Sequence, residues 1–394
     1  MFFIKLFKCH VYKYKEIFKS FYVLTFEKET VYSTNMTSQN TQPKERGSSK
    51  LEKPVELPTE AVNTPTDGTS PEVKKKIASV SFSQYSMWLK CPMQWKLSYI
   101  DKLAPYEASI HTTFGTAIHA ALQEYLRLLY TTGTAEADAL DAFGLFKKEY
   151  EEGLKDLKIA TEEQLKLTEE ERDSLDLITQ DTVKEFENDG KVILDHVLAY
   201  AQRGKHFPSK KYELVGIELP LEIPLRGGTI LYKGFLDIVL RDKFTKKILI
   251  LDFKTSTRGW GKWGKQDRTK IDQLILYKRF YNQMFKIPMS DIEIEFFIMK
   301  RKLFEDVGFP QSRIERFSPA DGKMSVKQVE TSFLEFINNG FTLSGEYNKS
   351  EIFRKTPGKN KKSCKYCQFK TMKDPNGNLY CNGKEDEMGD VPVQ

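Results

Sequence analysis

LYKGFLDIVLRDKFTKKILILDFKTS, residues 231–256, holds two apolar runs on either side of a polar segment, residues 241–247. That pattern predicts a β-hairpin with a loop of about four residues. If the loop is symmetric about the Phe244–Thr245 bond, the numbers of paired residues add to 489, and Asp237 stands opposite Asp252. Facing residues of an antiparallel pair have Cβ atoms about 4.5–5.5 Å apart, and two carboxylates that close repel unless a cation lies between them. Lys254, two residues on, shares the face of Asp252, while Leu249, Leu251 and Phe253 point the other way into a core. Two acids and a lysine on rigid strands suit phosphodiester hydrolysis. The carboxylates hold Mg²⁺ or Mn²⁺, the metal polarises the phosphate and acidifies a water, and the lysine orients that water or offsets developing charge.

Outward from the hairpin, strand-like runs occupy 212–225, 230–241, 247–255 and 292–299, with helices predicted over 269–285 and 326–337. Upstream lies a helix that Ser83 would cap, with Pro92 near its middle, then a helix over about 114–130. From 135 to 204 the sequence reads as helix throughout, with capping-box patterns at Thr161–Gln164 and Thr168–Glu171. No internal repeat is visible. This is an α/β pattern: a small mixed sheet flanked by helices, with a helical insertion before it.

The 394 residues carry a formal net charge of +6, too mild by itself to require a nucleic-acid partner. Local charge says more. From Lys254 to Arg279 there are eight Lys/Arg and two Asp, with Trp260 and Trp263 interleaved, and residues 354–373 hold eight Lys/Arg and no acid. Cations gather phosphates and indoles stack on exposed bases, so Arg258, Trp260 and Trp263 are candidate DNA contacts. No stretch approaches the roughly 20 apolar residues of a membrane span. Residues 1–35 fit neither a signal peptide nor a transit peptide and read as an over-extended frame before Met36, and 36–75 have the composition of a disordered linker.

Five cysteines do not make a secreted disulfide scaffold, and their grouping indicates metal ligation in a reducing, cytoplasmic compartment. Cys364-x2-Cys367 can bite one metal centre, Cys381 follows after thirteen residues, and Cys91 would complete four thiolates. Cys9 is left out of the set.

These motifs together resemble the PD-(D/E)xK nuclease superfamily in its RecB/AddB-like branch. Gly234-Phe-Leu-Asp237 matches G-x-x-D, Asp252-Phe-Lys254 matches D-x-K, Gln273 to Tyr277 matches Q-x-x-x-Y, and Gly115 to His119 matches G-x-x-x-H. The segment from Ser81 through Cys91-Pro92 to Ile100 resembles the family's opening helix. The resemblance implies a restriction-endonuclease-like core over 79–350 with its helical insertion at about 134–210, a basic Cys-rich clamp over 351–385 and a tail over 386–394. It implies His119 as a further metal ligand beside Asp237 and Asp252, and Gln273 and Tyr277 beside the substrate backbone. Gly115 is expected to admit a close backbone neighbour. Glu218 reads as structural. Cys91, Cys364, Cys367 and Cys381 would hold a 4Fe–4S cluster, although the x13 spacing before Cys381 exceeds the family's usual one and leaves Zn²⁺ or unligated thiols open. The implied activity is metal-dependent hydrolysis of DNA, exonucleolytic at ends or single strands, in processing, recombination or repair. Any helicase would be a separate chain.

Two rivals remain. Gly259 to Lys265 fits the G-x-x-x-x-G-K of a P-loop, but Gln266 stands where Mg²⁺ needs Ser or Thr, and two tryptophans crowd the turn. A non-catalytic DNA-binding subunit would have lost an acid or the lysine, and all are present.

Overall fold

The computed structural model describes residues 77–103, 108–168, 177–305, 307–358, 363–365 and 367–383. Residues 1–76, with Met36 and Cys9, the second half of the Thr168–Glu171 box, three lysines of the C-terminal basic tract and the tail lie outside them.

β1 (Ala78–Val80) leads into α1 (Phe82–Lys90) and the short α2 (Pro92–Trp95), which runs on as a π-turn over Lys96–Ile100. The N-cap is Ser81, whose side chain accepts from Gln84 N, and not Ser83. The single opening helix of the sequence reading is two, because Cys91 is extended at φ −164°. Proline disfavours helical geometry in the residue before it, so Pro92 restarts the helix and does not sit inside one.

α3 (Ile110–Thr131) carries Gly115 and His119, and α4 (Thr134–Asp138), α5 (Ala142–Leu154) and α6 (Gln180–Gln202) occupy the stretch expected as a helical insertion. That stretch is not helical throughout. The Thr161–Gln164 box forms its reciprocal bonds but caps only a 3-10 turn, and Ile159 bridges Ile178. The acidic, polar stretch there offers no apolar stripe to bury, and helices in proteins are held chiefly by such stripes.

β2 (Tyr212–Leu225), β3 (Ile230–Asp242) and β4 (Ile248–Ser256) follow, then α7 (Arg268–Phe285), β5 (Ile292–Lys300), β6 (Ile314–Phe317) and α8 (Lys323–Gly340). The sheet runs β1-β3-β4-β5-β6, with β2 also on β3. β1 and β6, at three and four residues, are too short to show a period and were absent from the sequence reading. β4 and β5 pair in parallel through α7, and the remaining long pairs are antiparallel, so the sheet is mixed as expected.

Both faces are covered, which is why β4 and β5 read as almost continuous apolar runs. Ile248, Ile250, Ile292, Ile294, Phe296 and Ile298 face a core built with α1, α7 and α8. Leu249, Leu251, Phe253, Phe297 and Met299 face one built with α3, α5 and α6. Beyond α8 the chain returns to the first core, where Phe353 packs 5.7 Å from Trp95. Arg301, just past β5, is buried and pairs with Asp189 of α6 at 2.9 Å, fastening the insertion to the sheet.

Candidate active site

β2 runs along one edge of β3 for its whole length, so β1 and β4 share the other edge. β1 meets it at Ile230–Tyr232, and β4 pairs Ile238 with Leu251 through Arg241 with Ile248. That register is the one the symmetric loop predicts, and Asp242 N donates to Lys247 O at its end. The ladder then stops one pair short of Asp237 and Asp252. Between β1 and β4 the edge of β3 is open, and Asp237 stands in the opening.

In an antiparallel ladder hydrogen-bonded pairs alternate, so the next one after Ile238/Leu251 would join Leu236 to Phe253. Side chains take its place. Asp237 Oδ2 accepts Phe253 N–H at 2.7 Å, and Phe253 O lies 2.9 Å from His119 Nε2. A carbonyl on Nε2 requires the proton there, so the neutral ring of His119 turns the lone pair of Nδ1 toward Asp237, 3.6 Å away. Burial, then Lys254, holds the imidazole below its ordinary pKa, which keeps that lone pair free.

Glu218, which the sequence leaves as a structural residue of the strand before the hairpin, reaches the site. It sits within β2 at φ +48°, a left-handed conformation uncommon for a non-glycine residue, between the pairs Ile217–Ile238 and Leu219–Leu236. Gln123 of α3 donates to its carboxylate at 2.6 Å. Ligand atoms of His119, Glu218 and Asp237 all lie within 4.8 Å of one another. Asp252, expected in that set, is beside it: it is 2% exposed and paired with Lys254 Nζ at 2.6 Å.

The charges do not balance without a further cation. Desolvation pushes Asp237 and Asp252 up to about 6 even with Lys254 nearby, with Glu218 adding to the rise at Asp237 and Asp237 to that at Asp252. Burial works to lower the Lys254 ammonium, but Asp252 and Asp237 outweigh it and the net shift is upward. Oxygen donors with one imidazole are the ligands that Mg²⁺ or Mn²⁺ takes, and a divalent ion supplies the missing charge. The donor set fits.

A profile of the PD-(D/E)XK nuclease superfamily matches residues 79–372. The chain belongs to that superfamily. The match spans the opening helix, the strands of the site and most of the Cys-rich segment. No curated protein matches the chain. A solved structure from Eubacterium rectale, described provisionally as an exonuclease, is similar at 12% identity with a TM-score of 0.36, covering 72% of this chain and 89% of that one. At that score the likeness bears on neither fold nor activity.

The other motif positions of the superfamily have mixed fates. Gln273 lines an open cleft with Lys254, Thr255, Ser256, Trp260, Lys270 and Phe82. Tyr277 is 5% exposed, and Gln273 Nε2 donates to its hydroxyl at 3.2 Å, linking it to the cleft. A side chain on Gly234 would meet the Tyr277 ring at 3.0 Å, which explains the glycine of G-x-x-D. At Gly115 it would meet only Thr255 Oγ1 at an ordinary 3.5 Å, so no close backbone approach requires that glycine.

Trp260 is half-buried, packed against the core on one side and lining the cleft on the other. Phe296 lies 4.9 Å from its ring and Lys270 Nζ 5.3 Å, and it packs on the first core. Trp263 is 77% exposed, and Arg258 is exposed with its guanidinium 5.2 Å from the Phe304 ring. The P-loop likeness ends here too, because Trp260 N–H donates to Glu315 and Lys265 pairs with the same carboxylate.

Cys91, Cys364, Cys367 and Cys381 all line one pocket, although Cys91 is more than 270 residues from the others in sequence. Thr356 N–H points at Cys91 Sγ from 3.4 Å. Burial raises the Cys367 thiol against a hydrogen bond from Phe369 N–H, and Cys381 and Cys91 add to the rise. Four clustered thiols, two of them with N–H donors on sulfur, fit a bound metal centre. Among the described residues, no helix is long and apolar enough to cross a membrane.

Proposed function

We propose that this superfamily member is a Mg²⁺- or Mn²⁺-dependent deoxyribonuclease of the RecB/AddB-like kind, trimming DNA at ends or single strands during processing, recombination or repair. The observation that carries the reading is the opening between β3 and β4, where His119, Glu218 and Asp237 converge beside the Asp252–Lys254 pair. His119 Nδ1, Glu218 and Asp237 would hold the cation, with Asp252 as the adjoining donor. A divalent ion there polarises a phosphate and acidifies a water.

The chain's own residues do the rest. Lys254 has three N–H donors, one directed at Asp252, and turns the others to a phosphate oxygen or the attacking water. Gln123 orients Glu218, and Phe253 orients Asp237 and His119 through its backbone. Gln273 lines the cleft beside Lys254, and the exposed Arg258 and Trp263 would meet the strand outside it.

The four cysteines would hold a 4Fe–4S cluster that ties α1–α2 to residues 364–381. The convergence of all four on one pocket supports the ligand set, with Zn²⁺ as the alternative occupant.

Digestion of end-labelled single-stranded and duplex DNA with Mg²⁺ or Mn²⁺ tests the activity. Progressive loss of the strand from an end is expected, abolished by chelation. Intact DNA under every metal condition would refute it.

A further inference from the structure

Gly259-Trp-Gly-Lys-Trp-Gly-Lys265, the segment that imitates a P-loop in sequence, is gripped at both ends by one carboxylate. Glu315 lies on β6, the four-residue strand at the edge of the sheet. Its Oε2 accepts Trp260 N–H at 3.3 Å and its Oε1 pairs with Lys265 Nζ at 2.7 Å, so it grips the loop at two points. Phe317, two residues on and therefore on the same face, packs near Trp260 and lies 5.6 Å from Lys265 Nζ. At the loop's start Ser256 Oγ bonds both Gly259 N and Gly259 O. Gly259 has φ +87°, and Glu315 Oε2 fills the space its side chain would need.

The loop so fixed is one wall of the cleft that holds Lys254, to which Gly259, Trp260, Gly261 and Gly264 all contribute. Lys262 and Trp263 stand exposed on it. A carboxylate under a track for phosphates is unfavourable by charge alone. Here it is 18% exposed and neutralised by Lys265, so what it supplies is order. A loop with three glycines in six residues has much freedom to lose when a ligand binds, and restraining it beforehand removes that cost from binding.

We propose that Glu315 is a positioning residue for DNA: it holds the Gly259–Lys265 loop preformed, so that Lys262 and Trp263 meet the strand crossing Lys254. The proposal rests on the nuclease reading for its substrate and concerns binding, not bond cleavage. Glu315→Ala frees both anchor points. Glu315→Gln keeps an acceptor for Trp260 N–H but loses the ion pair.

The test measures two quantities for the full chain. Anisotropy of a fluorescein-labelled single-stranded oligonucleotide in chelator gives affinity without turnover, and steady-state cleavage with Mn²⁺ separates KM from kcat. Glu315→Ala is expected to weaken binding and raise KM by about tenfold, the scale of one lost stacking or ordering contribution. Its kcat and Mn²⁺ affinity should stay within about twofold of wild type, as the metal donors are untouched. Glu315→Gln should fall between, and Trp263→Ala should cost less in the Glu315→Ala background than alone, because its ring is no longer held in place. Unchanged oligonucleotide affinity in both Glu315 variants would overturn the proposal. So would kcat and Mn²⁺ affinity falling as far as binding does. If Glu315→Ala does not fold, the isosteric Glu315→Gln carries the same comparison. A wild type that binds the oligonucleotide and cuts nothing would refute the nuclease reading and leave the anchor standing.

Discussion

Asp237 accepts the backbone N–H of Phe253 through Oδ2 at 2.7 Å, where the β3–β4 ladder would otherwise have placed Leu236. One acid therefore both replaces a strand hydrogen bond and faces the proposed metal donors His119 and Glu218. The two duties separate by substitution. Asp237→Ala leaves a buried N–H without an acceptor and should destabilise the fold by about 1–3 kcal/mol. Asp237→Asn keeps an acceptor oxygen and should retain most of that stability while losing Mn²⁺ affinity. Thermal unfolding and calorimetric Mn²⁺ titration of both variants check this; tight Mn²⁺ binding by Asp237→Asn would exclude the acid as a ligand.

The raised acids set a pH dependence. Asp237 and Asp252 titrate near 6 in the folded, cation-free protein, well above the ordinary carboxylate value. The folded state then holds protons that the unfolded chain releases, so between about pH 4 and 6 these two groups make stability fall as pH rises. A bound cation reverses the preference by favouring the charged forms. Mn²⁺ should raise Tm much more near pH 7.5 than near pH 5, and its binding near pH 6 should release protons. An equal rise in Tm at both pH values would contradict the assignment.

The hairpin was legible because alternation and loop symmetry are local. Register along Ile238–Arg241, the loop of four residues and the shared side of Asp252 and Lys254 all follow from that count. The approach of Glu218 to the site has a signal in the sequence too. Applying the same symmetry to Gly227–Gly228, both at positive φ, sets Leu225 against Ile230 and Glu218 against Asp237. What no pattern shows is the turn of its backbone to φ +48°, or the Gln123 that secures it. The four-thiol set was legible from spacing and the resemblance, and the fold gathers Cys91 with the other three in one pocket. Pro92 marks the break that exposes Cys91, but a mid-helix proline and a new helix start look alike until tertiary contacts decide between them.

The two loop tryptophans should behave oppositely. Trp263→Ala should leave Tm within about a degree, since surface changes seldom exceed 0.5 kcal/mol, and should weaken oligonucleotide binding by about 1–3 kcal/mol. Trp260→Ala removes packing on Phe296 and should cost about 2 kcal/mol or more of stability. Thermal melts and anisotropy distinguish them, and equal stability losses would refute the division of roles.

The cysteine pocket makes an expectation of its own. Anaerobically purified protein should be coloured, with iron and acid-labile sulfide in equal amounts, and Cys91→Ser should lose both and melt at lower temperature. Stoichiometric zinc in a colourless protein would overturn the cluster assignment while leaving the four-thiol site intact.

The most direct measurement is the single-turnover rate at which Lys254→Ala cleaves labelled DNA with saturating Mn²⁺, beside wild type. The variant is expected to bind Mn²⁺ and DNA and to cut about 10²–10⁴ times more slowly, the usual span for a lost proton-transfer or charge-stabilising group. Cleavage within twofold of wild type would show that the opening between β3 and β4 is not where the bond is broken.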